Sequence, residues 1–325
     1  PWFSDWGRDA LISLPGLALI QGRVGDACKV LEHFLNNMHQ GRVATRIENG
    51  SPQYYDTDST LWLIDRIKKY VDTVGEEEGA GFLHTYWWTL KDAVDSYAKM
   101  VEGGVLVHDG GTWMDTLKRH SAVEIQGLWY NALNHMQGFS ELMGDEADYG
   151  ALMREHEENF PEKYMENGYL KDTLEDGALR PSQLINLSLD FCVVESGYAK
   201  KIIQKIDERL ITPYGVRTLD PSDPRYCPRY VGSPEDRDKA YHNGTVWPWL
   251  LGSYITSVKK YLGQKEAKKR FQHFNPLFEK HLWQAGLAHI SEVFDAEPPH
   301  KPRGCIAQAW SEAELIRSYF DLNKP

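Results

Sequence analysis

Basic charge, paired cysteines, regular strands and long apolar runs are all scarce in this chain, and each shortage removes a class of function. Lys and Arg total 36 against 47 Asp and Glu, a formal net charge of -11. A surface of that sign repels a phosphate backbone, whose binding requires basic side chains that release counterions, so no nucleic-acid partner is expected. The same acidic balance is sufficient to keep a protein in solution. No apolar run approaches the roughly 18 residues that a membrane span requires, and no membrane role is expected. The four cysteines, Cys28, Cys192, Cys227 and Cys305, lie far apart and form no Cys-x-x-Cys pair. That spacing indicates neither a zinc knuckle nor a dense disulfide framework, and it fits reduced thiols in a cytoplasmic protein. No Gly-x-Ser-x-Gly elbow is present for a serine nucleophile. The opening PWFSDWGRDA has neither an initiating Met nor the charged and apolar regions of a signal peptide, so a fragment of a longer protein is expected.

What the chain does have is helical periodicity and aromatic rings. Apolar residues recur at helical spacing over roughly 9 to 20, 24 to 38, 59 to 73, 83 to 101, 121 to 142, 149 to 159, 181 to 205, 245 to 262, 266 to 280 and 306 to 320. Strand signals are confined to short pieces such as Val105 to Val107 and Ala288 to Ile290, enough for small hairpins but for no sheet of any size. Helices joined by alternating short and long loops point to stacked αα-hairpins, in an open solenoid or a closed ring. The long loops, Gly41 to Asp58, Gly103 to His120, Ser222 to Gly244 and Gly286 to Gly304, are rich in Gly, Pro, Asp and aromatics. Loops of such length inside a compact domain generally carry function. With 11 Trp and 17 Tyr, many beside Gly, Asp or Asn, the chain can offer rings to the apolar face of a sugar and polar groups to its hydroxyls.

Several segments carry candidate chemistry. Trp6-Gly7-Arg8-Asp9 opens a helix; Asp9 reads either as its N-cap with Arg8 as partner, or with Arg8 as a hydrogen-bonding pair for sugar hydroxyls. In Gly110-Gly111-Thr112-Trp113-Met114-Asp115 a Gly-rich turn delivers a carboxyl beside two apolar residues, whose desolvation would raise its pKa as a general acid requires. Glu124 is a second carboxylate nearby, for substrate or for a helix start. Glu292 lies in the apolar stretch Ile290-Ser291-Glu292-Val293-Phe294-Asp295. Asp115 and Glu292 are far apart in sequence, yet a closed ring can bring two such carboxyls to one glycosidic bond. His242 and Trp247 lie in YHNGTVWP and Trp310 in QAWS; His242 has no clustered second ligand, and no metal is expected there.

The segments PWFSDWGRDALISLPGL, YYDTDSTLW, GTWMD, AVEIQGLWYNAL, RTLDP, YHNGTVWPWLLGSYI, HISEVFD and GCIAQAWSEAELIR extend over nearly the whole chain. Together and in this order they resemble the glucosidase domain of glycogen debranching enzymes, the amylo-α-1,6-glucosidase family. The resemblance implies an all-α (α/α)6 toroid of six-hairpin type, lacking its first helix in this chain. Residues 1–325 would be a single catalytic domain, an amino-terminally truncated fragment whose partner is a β-rich amino-terminal domain of the same protein. The implied activity is inverting hydrolysis of α-1,6-linked glucose at branch points of glycogen or limit dextrin, with no metal and no cofactor. Asp115 is then the general acid and Glu292 the general base, releasing β-glucose. A further likeness to glucoamylases places Trp6, Arg8, Asp9 and Trp310 at the terminal glucose, with Trp113, Glu124, His242 and Trp247 along the wall. Two departures bear on substrate preference: only Thr116 to Ser121 separate TWMD from the VEIQ segment, where the family has a longer connection with a Thr-Pro-Arg element, and Gln126 replaces the family's Asn. The competing readings are a glucoamylase-like exo-α-1,4-glucosidase and a non-catalytic glucan-binding αα-repeat.

Overall fold

The computed structural model describes residues 4–324, which divide into two compact units. The first comprises Pro1–Lys163 with Leu189–Val193, the second Tyr164–Ser188 with Val194–Pro325. Helices dominate both, as the periodicity predicts.

In the first unit β1 (Asp5–Trp6) leads into α1 (Gly7–Leu14), a wide turn over Pro15–Leu19 and α2 (Val24–Asn36). Strands β2 (Arg46–Glu48) and β3 (Ser51–Gln53) form a hairpin inside the first long loop, and β1 pairs with β2. Then come α3 (Asp58–Val74) and α4 (Glu76–Ala98), joined by the single residue Gly75. The acidic run Glu76, Glu77 and Glu78 lies in the first turn of α4, where it complements the helix dipole. The core is built around α3, which buries Leu61, Trp62, Leu63, Ile64, Ile67, Tyr70 and Val71 and packs on α1, α2, α4 and α5 (Val123–Met143). Each such side chain removed from water contributes about 1.5–3 kcal/mol. Between α4 and α5, β4 (Val101–Glu102) and β5 (Val105–Leu106) make the small hairpin expected around Val105. Helix α6 (Gly150–Tyr164) closes this part of the chain.

The second unit begins with the hairpin β6 (Met165–Glu166) and β7 (Tyr169–Leu170). The helix expected over 181 to 205 is divided into α7 (Gln183–Ser188) and α8 (Ser196–Arg209). Between them Phe191 donates its backbone N–H to Asn131 Oδ1 at 3.2 Å, a side-chain partner in place of a helical carbonyl. Strands β8 (Ile211–Thr212) and β9 (Gly215–Arg217) precede α9 (Pro234–Tyr241) and β10 (Val246–Trp247). Trp247 precedes Pro248, which favours extended backbone, so α10 (Leu250–Leu262) starts after the 245 expected for it. Gly263 links α10 to α11 (Gln264–Phe271), followed by α12 (Asn275–Glu279), β11 (Val293–Phe294), β12 (Pro302–Arg303) and α13 (Ala309–Asn323). Helix α10 packs on α7, α8, α11 and α13 and centres this core.

One expectation is overturned. Very short antiparallel strands join in a five-stranded sheet, in the order β12-β11-β10-β9-β8, where no sheet of any size was predicted. Its fourth strand in sequence is Val293–Phe294 rather than Ala288 to Ile290, because Ala288 takes a positive φ of 63° and donates to Leu282 O across a turn. No helix among the described residues is long and apolar enough to cross a membrane.

Candidate active site

In the first unit the charged residues gather where α1 and α3 begin. Trp6 occupies the N-cap position of α1, so Asp9 lies inside the first turn and is not the cap. Arg8, 4% exposed, pairs with two aspartates from the YYDTD segment. Its Nε donates to Asp58 Oδ2 at 2.7 Å and its Nη2 to Asp58 Oδ1 at 2.9 Å, while Nη2 lies 2.8 Å from Asp56 Oδ1. Asp56 is further fixed by the Ser59 hydroxyl at 2.9 Å. Two buried carboxylates thus share one guanidinium. Burial pushes Asp58 up to about 7, with the charges of Asp56 and Glu124 adding to the rise and Arg8 opposing it. Trp6, half-buried, has the Arg46 guanidinium 5.5 Å from its ring centroid.

The loop that carries Asp115 is fastened to this cluster by backbone. Gly111 O accepts from Thr57 N at 2.7 Å, and Gly110 O from the Thr57 hydroxyl at 2.9 Å. Gly111, at φ 70°, admits no side chain: a Cβ would lie 2.1 Å from Tyr55 O. His108 closes the same loop, its Nε2 accepting from Ala122 N at 3.1 Å and its Nδ1 lying 3.0 Å from Gly110 O. A neutral ring that accepts at Nε2 carries its proton on Nδ1 and donates it to that carbonyl. Burial lowers the His108 pKa to about 4, which keeps the ring neutral near pH 7. The short connection of residues 116–121 is tied back to the start of the loop, with His108 N donating to His120 O at 2.7 Å. Inside it Arg119 grips buried Glu124 with both terminal nitrogens, Nη2 reaching Oε2 at 2.7 Å, and also donates to the Thr112 hydroxyl at 3.1 Å. Gln126 bridges to Leu106, accepting from its N–H and donating to its C=O, both at 2.8 Å.

Asp115 itself is exposed, whereas Trp113 and Met114 are buried. The side chains of those two neighbours turn into the core, while that of Asp115 reaches solvent. Its charge acts on Arg8, which it raises together with Asp56 and Asp58 against the opposing effect of burial.

In the second unit Glu292 is oriented at both oxygens. The Tyr241 hydroxyl donates to Oε1 at 2.6 Å, and the Cys305 backbone N–H donates to Oε2 at 3.0 Å. Glu292 N in turn donates to Cys305 O at 2.9 Å, so the main chain sets the position of the side chain. Gly304, at φ 64°, makes room: a Cβ there would lie 2.1 Å from Glu292 Oε2. The preceding N–H, of Ser291, donates to His281 Nε2 at 2.9 Å. Tyr241 ends α9 and is packed by Tyr230, His242 and Trp247, with ring centroids 5.1, 4.7 and 4.8 Å away. His242 stacks on Trp247 at 5.3 Å, and Trp310 contacts both Trp247 and Trp249. Arg180 secures this corner, donating to the His242 carbonyl and, at 2.9 Å, to Asn243 Oδ1. Trp310, 4% exposed, has no acceptor for its indole N–H among the described residues.

The residues predicted from sequence thus fall into two groups, Trp6, Arg8, Asp9, Trp113, Asp115 and Glu124 in the first unit and His242, Trp247, Glu292 and Trp310 in the second. Asp56, Asp58, Arg119, Tyr241 and Gly304 complete them. The signal for Asp56 and Asp58 was the doubled acid of Asp-Thr-Asp ahead of an apolar helix. Among the described residues the group with ligand atoms within metal reach is Asp65, His135 and Asp190, which does not include His242.

A mostly helical chain carrying a gripped Arg-Asp cluster and an oriented carboxylate among aromatic rings has the fold of known glycoside hydrolases. It is similar to the GH63 mannosylglycerate hydrolase of Thermus thermophilus, solved with Tris and D-glycerate, with a TM-score of 0.73 at 12% identity over 97% of this chain and 93% of that one. An uncharacterized conserved protein from the same organism matches with a TM-score of 0.72 at 13% identity, covering 96% and 92%. The sequence profile of the amylo-alpha-1,6-glucosidase family matches residues 1–317, and the chain belongs to that family. The glycogen debranching enzyme of Saccharomyces cerevisiae (strain ATCC 204508 / S288c) is 24% identical over 98% of this chain, which spans 29% of that protein's length.

Proposed function

We propose that the chain is the catalytic part of an inverting α-1,6-glucosidase that releases glucose from branch points of glycogen or limit dextrin. The observation that carries this reading is the carboxylate of Glu292, held by Tyr241 and the Cys305 N–H within a chain that matches the family from residue 1 to 317. A carboxylate accepting from two fixed donors is oriented with lone pairs remaining for a water molecule. Glu292 then serves as general base, taking a proton from the water that attacks the anomeric carbon, while Asp115 as general acid protonates the leaving oxygen. Arg8, clamped by Asp56 and Asp58, sets the charge around the terminal glucose together with Trp6 and Asp9. The indole N–H of Trp310 supplies a donor to a sugar hydroxyl, and its burial without an acceptor among the described residues supports that role. Trp113, Glu124, His242 and Trp247 are the residues assigned in this reading to the wall of the sugar site. The six-hairpin (α/α)6 toroid is the architecture proposed for the chain, with a β-rich amino-terminal domain as partner in the longer, cytoplasmic protein.

Proton NMR of the glucose first released from a glucosyl-branched maltooligosaccharide tests the proposal. Initial β-glucose establishes both the α-1,6 linkage and inversion. Initial α-glucose rejects the pair, and release from linear maltodextrin alone assigns the chain to an exo-α-1,4 activity.

A further inference from the structure

We propose that Asp65, His135 and Asp190 form a binding site for one divalent transition-metal ion of the zinc class. The three come from α3, α5 and the segment Leu189–Val193, all within the first unit. Their ligand atoms lie within 4.8 Å of one another.

His135 is the observation that points to a ligand. It is 1% exposed, and neither ring nitrogen has a hydrogen-bond partner among the described residues. Its Nε2 lies 3.6 Å from Asp65 Oδ1 and 3.7 Å from Asp190 Oδ2. Those separations are too long for hydrogen bonds. The first equals, and the second slightly exceeds, the longest edge around a tetrahedral ion, since bonds of about 2.0–2.2 Å give edges of roughly 3.3–3.6 Å. An imidazole buried with no partner is costly, and bonding to an ion removes that cost. The ring is fixed by Phe139, stacked at 6.4 Å, and by the edge of Phe191 at 5.5 Å.

The neighbours suit the ligands to their task. Asp65 keeps its other oxygen 3.0 Å from Arg66 Nη1, and Oδ1 accepts from Asn131 Nδ2 at 3.0 Å. Asp190 Oδ2 is bound by Lys69 at 2.6 Å, and this is the contact an ion displaces. Both side chains are partly exposed, 33% for Lys69 and 43% for Asp190, so the ammonium can return to water while Asp190 closes on the ion. One nitrogen with two carboxylate oxygens, and water in the fourth position, suits zinc or cobalt rather than calcium or magnesium, which take oxygen ligands alone. The ion would tie α3, α5 and the 189–193 segment together.

The test uses the whole chain, stripped of metal by chelation, with Zn2+ followed by calorimetry and Co2+ by its visible absorption. One equivalent is expected to bind, and a concentration about a hundredfold above Kd should raise the unfolding midpoint by roughly 5 °C. The exposed position of Asp190 makes Asp190→Asn the variant that keeps the fold; it should lose the binding while melting like the metal-free parent. His135→Gln should lose it as well. No saturable uptake at one equivalent, or uptake unchanged in both variants, overturns the proposal.

Discussion

Glu292 illustrates how much of a carboxylate's behaviour is decided by what holds it. A hydrogen bond to a charged group contributes about 1.5–3 kcal/mol. Removing the hydroxyl in Tyr241→Phe should therefore lower kcat by roughly 10- to 100-fold with little change in unfolding midpoint, since the ring still packs on Tyr230 and Trp247. Glu292→Gln and Asp115→Asn should each stay folded by circular dichroism and lose about a hundredfold or more in turnover; near-normal rates would remove that residue from the proposed chemistry. The sequence makes the two carboxylates legible because each lies in a recognisable motif. Their supports are less so. Tyr241 stands within a quoted segment without any sign that its hydroxyl faces Glu292, and a main-chain donor such as Cys305 N leaves no trace in side-chain identity.

At the scale of elements, α9 and the 108–122 loop do the positioning. Helix α9 buries little beyond Ala240 and depends on its start, where Ser233 and Asp236 form a reciprocal capping box and Pro234 occupies the first turn. Ser233→Ala should cost about 1 kcal/mol in urea unfolding and lower kcat through Tyr241, with the Asp115 loop untouched. That box was readable as Ser-Pro-Glu-Asp, but the helix has almost no apolar periodicity, so Ser222 to Gly244 read as loop. The five-stranded sheet escaped for a related reason: strands of two or three residues are too short for alternation to register. Arg119 of the loop and Glu124 at the start of α5 are both buried, and removing Arg119 takes away the counter-charge of Glu124. Arg119→Met should cost about 3–5 kcal/mol, and adding Glu124→Leu should recover most of it in the same unfolding assay.

Across the whole molecule, the buried charge near Arg8 should appear in the pH dependence of stability. Asp58 titrates near 7 in the folded protein and near 3.8 as its ordinary value. The native state therefore holds a proton that the unfolded chain has released, and the contribution is fully present below about pH 4 and lost as pH rises through about 7. The stability difference between the parent and Asp58→Asn should accordingly shrink over that interval, and a difference flat with pH would reject the assignment. Helix-rich composition and most helix positions were legible from apolar spacing. The division into two units was not, because the segment that crosses between them, residues 189–193, lies inside what reads as one continuous helix.

That crossing has a consequence for anyone who would take the chain apart. The backbone leaves the first unit after Lys163, comes back for Leu189–Val193 and leaves again. A gene split at a single codon yields no self-sufficient half: cut after Lys163, the first piece lacks Asp190 and Phe191, and the second carries a stray insert with nothing native to pair with. The first unit is discontinuous in sequence, so shuffling between relatives should succeed only when the whole span is exchanged.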